Sequence, residues 1–233
     1  MYLIRINIVI FVILIFCILF YNLTELLGED GLVEYLSVFY WAVGLFFSGL
    51  ILLKQTKKRI NKLLVLILLF VCFISLGEEI SWGQRIFNIQ TPESISKANS
   101  QGEINFHNLY ALSGGSTWRE FFKTGKLNYH LLLDAQNIFR IGYAILFFLF
   151  PFMITINFKS NILRKVGYVK PSKCFTLFIL LFLTFSYLIT IGKPISYNHG
   201  IQEIREMFYA FTIAMYLYFL YKRTNLTSSN RNN

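Results

Sequence analysis

Six apolar runs, each about long enough to cross a bilayer as a helix, govern what this chain can fold into. They are Ile6–Leu23, Gly31–Leu53, Leu63–Trp82, Gln136–Ile156, Cys174–Gly192 and Ile204–Tyr221. A helix needs about 20 such residues to span the hydrocarbon core. In lipid, backbone groups must be satisfied within the segment, so the runs predict helices. The expected fold is all-α: a polytopic membrane helical bundle of six transmembrane helices in a single domain over 1–223. A disordered cytoplasmic tail over 224–233 follows. With 55% hydrophobic and 18% aromatic residues, the composition is not that of an ordinary soluble domain. Arg5 and the apolar stretch after it resemble a signal peptide, but no small-x-small cleavage site follows, so this run is read as an anchor.

Charge gives the orientation. Lys54, Lys57, Lys58, Arg59 and Lys62 fill one short connection, and Lys159, Arg164, Lys165, Lys170 and Lys173 fill another; neither holds an Asp or Glu. By the positive-inside rule these connections are cytoplasmic, as are both termini with Arg5, Lys222, Arg223 and Arg231. The expected location is the bacterial cytoplasmic (inner) membrane. All 12 acidic residues and all 3 histidines then fall on the outer side. The formal net charge of +10 is a product of topology and implies no nucleic-acid partner; membrane lipids are the partners that the basic connections suit. Cys17, Cys72 and Cys174 sit in or at the ends of runs, without a CxxC, and read as packing residues.

The one sizeable extramembrane segment is Gly83–Ala135, between the third and fourth spans. Thr91-Pro92-Glu93 predicts a helix start with proline at its first position. Gly114-Gly115-Ser116 predicts a break, and Thr117 or Trp118 a further short helix. The aromatic and leucine content predicts a lid that lies on the bilayer surface or dips between helix ends.

Four polar clusters belong to this outer side. Asp30 and Glu34 open the second span, where acids complement the positive end of a helix dipole. Glu78 and Glu79 close the third span, where the dipole has the wrong sign for them. An ionised group inside a span costs about 2.5–3.5 kcal/mol on insertion scales. Something should offset that: Arg85, a histidine, a cation or a carboxyl kept neutral. On a continuing helix Glu78, Trp82 and Arg85 would share a face, with Glu79 about 100° away.

The third cluster pairs Glu103 with His107 and His130 with Asp134; the fourth pairs His199 with Glu203, with Glu206 beyond. Each pair is four residues apart, which on a helix stacks a carboxylate beside an imidazole. Such pairs hold divalent metals, zinc, iron or manganese here, or let the carboxylate orient the imidazole. The same spacing is common on solvated helices, and Asp134, Glu203 and Glu206 also sit near helix N-termini where the dipole suits them.

Glu78-Glu79 and Arg85, with His107 and His199-x-x-x-Glu203, resembles in residue types the pattern of CAAX-type intramembrane proteases. The Glu-to-Arg spacing and the surroundings of the histidines depart from it. Zinc hydrolases related to alkaline ceramidases share the donor types, but their paired histidines on the final helix are absent here. No family follows from either likeness.

The leading expectation is a membrane-embedded hydrolase or transferase acting at the outer leaflet on a lipid, a lipid-linked molecule or a membrane peptide. Glu78, Glu79, Arg85 and His107 are its catalytic candidates. His107, His130, Asp134, His199, Glu203 and Glu206 are its metal candidates, and Asp30, Glu34 and Glu103 complete the polar rim. A proton- or cation-coupled transporter is the alternative, and a sensor or assembly subunit is a third reading. A homo-oligomer or a membrane partner subunit is compatible with each.

Overall fold

A computed structural model describes residues 31–54, 62–99, 102–106, 109, 124–125, 134–156, 163, 168–191 and 195–229. At 85, 195–199 and 225–229 it describes the backbone alone. The first expected span, Asp30, His107, His130, the glycine break at 114–115 and the helix expected from 117 lie outside the described residues. Among these residues the chain is helical and carries no strand, only an isolated antiparallel bridge between Asn99 and Leu109. The helices are α1 (Leu32–Leu53), α2 (Lys62–Glu79), α3 (Gln84–Phe87), α4 (Glu93–Ala98), α5 (Ala135–Thr155), α6 (Lys173–Leu188) and α7 (Ile195–Ser229).

Two of them, α1 and α5, are long and apolar enough to cross a membrane; α6 is apolar but only 16 residues long. The third expected span stops at Glu79 instead of Trp82, because the chain turns left-handed just beyond it. The sixth extends well past its apolar run in both directions: the polar stretch Tyr197–Glu203 is helical although its hydropathy is low. Helix α4 starts at Glu93 with Pro92 as the residue before it, where the sequence had suggested proline inside the first turn.

Contacts divide the chain into two compact units, Met1–Cys72 with Pro171–Asn233, and Phe73–Lys170. In the first unit α7 packs against α1 and α6 and is buried nearly all round from Ile204 to Ala214. Phe208 stacks on Phe182 of α6 with ring centroids 3.8 Å apart, and Phe211 meets Tyr40 of α1 edge-on at 5.1 Å.

Helix α1 turns inward a stripe of Val33, Ser37, Trp41, Gly44, Ser48 and Ile51, spaced at the helical period. Its outward face carries Leu32, Tyr35, Phe39, Phe46 and Leu53. The inward stripe mixes Gly44, Ser37 and Ser48 with Val33, Trp41 and Ile51, while large apolar side chains also face outward, as on helices whose solvent is as apolar as their side chains. Gly44 permits the closest approach: a Cβ there would stand 2.8 Å from Cys72 Sγ. Hydroxyls on these helices turn back to the backbone, as Ser48 Oγ does to the Leu45 carbonyl at 2.8 Å and Ser186 Oγ to that of Leu183 at 2.9 Å.

In the second unit α5 opens on Asp134, whose Oδ1 accepts from the backbone N–H of Gln136 at 2.8 Å and of Asn137 at 3.1 Å. Midway, Ile145–Leu149 widens into a π-helical turn just before Pro151. Proline has no N–H to give and its ring crowds the carbonyl four residues back, so the local ladder loosens. Tyr168 compensates by donating its hydroxyl to the Leu146 carbonyl at 2.8 Å.

Candidate functional site

Helix α2 delivers Glu78 and Glu79 to its C-terminal end, where the backbone dipole opposes a negative charge. The structure offsets this at Glu78 with two N–H donors. Oε1 accepts from Trp82 Nε1 at 2.7 Å, and Oε2 accepts from the Phe106 backbone N–H at 2.7 Å. Hydrogen bonds to an ionised acceptor are the stronger kind. Neither donor is the arginine, histidine or cation that the sequence suggested.

Trp82 reaches Glu78 because the chain reverses sharply. Ser81, Trp82 and Gly83 all have positive φ, at 46°, 53° and 84°. Glycine takes this conformation freely, whereas each L-residue in it costs about 1–2 kcal/mol. The reversal lays the Trp82 ring over Gly77, with three ring carbons 3.0 Å from where a Cβ would stand. Phe73 and Phe106 flank the same indole edge-on, at centroid distances of 5.9 Å and 6.0 Å.

Around this turn the polar side chains bind one another. Ser81, 1% exposed, donates its hydroxyl to Glu103 Oε2, which also accepts from Asn105 Nδ2 at 3.4 Å. Gln84 accepts the Ile104 N–H at 2.7 Å through Oε1 and donates to Thr91 Oγ1 through Nε2. Buried Asn99 donates from Nδ2 to the Asn105 carbonyl at 2.8 Å and to its Oδ1 at 2.7 Å. The bend at 102–106 is thus held by side chains from α2, α3 and the end of α4. Two carboxylates, Glu78 and Glu103, both half-buried, lie within this one network.

The other candidates fall as follows. Glu103 lies half-buried among the bends at 102–104 and 106; its expected partner His107 lies outside the described residues. Glu79 is half-buried at the end of α2, and Arg85 belongs to α3. Asp134 serves as the N-cap of α5. Glu34 lies in the first turn of α1 and is half-buried. His199 and Glu203 are both on α7, one helical turn apart, and Glu206 accepts from Gln202 Nε2 at 3.0 Å. Among the described residues no three His, Cys, Asp or Glu side chains are grouped to hold a metal ion; the histidine side chains lie outside that description.

Sequence reasoning overlooked Ser81, Gln84, Asn99 and Asn105, neutral residues in a segment read mainly for its aromatic content. It also overlooked Arg205. That residue is 7% exposed on α7, with its guanidinium carbon 4.3 Å from the centre of the Tyr187 ring. Tyr187 and Tyr209 bring their hydroxyls within 3.4 Å of each other. A cation at the opening of an apolar run, between Glu203 and Glu206, was the available signal, since charged residues are rare in spans and commonly functional. Set against known protein families, characterised proteins and solved structures, the chain matches none.

Proposed function

We propose that the chain is a six-span protein of the bacterial cytoplasmic membrane, with both termini cytoplasmic, and that the polar network of residues 78–106 is an enzyme site at the outer rim. The reaction is a hydrolysis or group transfer on a lipid, a lipid-linked molecule or a membrane peptide. The observation that carries this reading is the joining of Glu78 and Glu103 to one backbone turn held in the left-handed region at two non-glycine residues. Strain of this kind, maintained by surrounding bonds, gathers at functional sites.

In this reading Glu103 takes the proton, being half-buried and hydrogen-bonded to the Ser81 hydroxyl. Glu78 holds the Trp82 indole and the 102–106 bend in register. Glu79, Arg85 and His107 complete the catalytic set in this reading.

The test is turnover by the full chain in vesicles containing mixed phospholipids, a polyprenyl-phosphate-linked sugar and a membrane peptide, with products read by mass spectrometry. Glu103→Gln should lower the rate at least about 100-fold, the usual scale for losing a general base, while Glu93→Gln on α4 leaves it unchanged. Proton or cation flux without any product would replace the enzyme with the transporter. Product formation untouched by Glu103→Gln would remove Glu103 from the site.

A further inference from the structure

Just beyond the polar network the side chains segregate in an order opposite to that of a water-facing loop. Ile86, Phe87 and Ile89 are 66%, 72% and 50% exposed, and Phe106 is 57% exposed. Their polar neighbour Gln84 is engaged in its bonds with Thr91 and Ile104. Asn88, with φ of 50°, ends α3 and turns the chain so that Ile89 follows directly on the same short stretch. Large apolar side chains exposed together mark a surface with a partner.

An aromatic strip runs from α2 to the bend that ends at Phe106. Phe73, itself 50% exposed, meets Trp82, and Trp82 meets Phe106. Tryptophan with its ring among apolar groups and its N–H on a polar one is the arrangement favoured where hydrocarbon gives way to headgroups. Helix α4 carries the exposed ion pair of Glu93 and Lys97, as a water-facing element does.

We infer that Ile86, Phe87 and Ile89 insert into the outer leaflet, so that the segment following α2 is an interfacial anchor seating the Glu78–Glu103 network at headgroup depth. The partner is the lipid surface. A second copy of the chain fits less well: a stable protein interface takes about 20–30 residues a side, and this ridge offers only a few side chains. The inference rests on the membrane-spanning reading above. It adds that substrate meets the site from the bilayer side, at the level of lipid headgroups.

The test uses the full-length chain with Cys17, Cys72 and Cys174 replaced by alanine. It carries one nitroxide at a time, on cysteines replacing Phe46, Ile86, Phe87, Ile89 or Lys97, in phosphatidylethanolamine–phosphatidylglycerol vesicles. Relaxation by oxygen should exceed relaxation by a water-soluble nickel chelate at 46, 86, 87 and 89, and the order should invert at 97. If 86, 87 and 89 behave like 97 while 46 stays in lipid, the anchor is refuted and the membrane reading stands. If 46 also sits in water, the membrane reading falls and takes the anchor with it. Protection of the ridge from both reagents means protein covers it, which also overturns the inference. Phe87→Trp in vesicles of brominated lipid supplies a second measurement. Quenching strongest with bromine near the headgroups supports the anchor, and no added quenching counts against it.

Discussion

At the scale of single residues, the sequence already posed the central question: why two glutamates stand at the end of a helix whose dipole disfavours them. The structure answers it for Glu78 with an indole and a backbone amide 28 residues downstream. That answer was not legible beforehand. The Phe106 amide has no side-chain signature, and nothing in Ser-Trp-Gly announces two L-residues with positive φ. Replacing Glu78 by glutamine keeps the shape but leaves one acceptor oxygen where there were two, so either the indole or the amide loses its partner. Water can reach donors that are exposed or part-buried, as these are, so the cost is that of one hydrogen bond, about 0.5–1.5 kcal/mol. The expected outcome is a lower melting temperature in detergent, without loss of the helical circular-dichroism signal before the transition. Gly77→Ala pushes the Trp82 ring off its seat and carries its Nε1 away from Glu78, so the two variants share one contact and their losses should be less than additive.

Among elements, α1 was read almost to the residue, because its apolar run and its helix coincide. Helix α7 was not: its first turns carry Asn198, His199, Gln202 and Glu203, whose polarity hid a helix that packing on α1 and α6 stabilises. Of the expected Glu103–His107 pair, Glu103 lies in a bend and His107 lies outside the described residues. The α1–α2 contact at Gly44 makes a sharper prediction. Gly44→Ala sets a methyl 2.8 Å from Cys72 Sγ, and overpacking of this sort costs about 1–3 kcal/mol. Cys72→Ala removes the obstructing sulfur, so the double variant should recover most of the loss, the non-additivity expected of residues in contact. Thermal unfolding of the wild type, both single variants and the double variant measures it. Additive losses would mean the helices meet elsewhere.

For the whole molecule, the six-span topology came from charge and hydropathy, and its support in the structure is narrower. Two helices have the length and composition to cross. The apolar outward faces of α1, α2 and α6, with Phe46, Leu66, Ile67 and Leu180 about half exposed or more, add to that support. Sidedness has its own measurement. Single cysteines at Lys97 and at Lys222, in sealed vesicles of known orientation, should react with an impermeant maleimide from opposite sides. Labelling of both from the same side would break the proposed arrangement. The two-unit division of contacts was not foreseen, because hydropathy registers how apolar a segment is and carries no record of which segments it touches.

Seating the Trp82 ring on bare glycine backbone and its N–H on a carboxylate gives the protein an optical reporter at its rim. With Trp41 and Trp118 replaced by phenylalanine, its emission colour should track the Glu78 contact. Substrate arriving at the neighbouring network would then be visible as a spectral shift, before any product has formed.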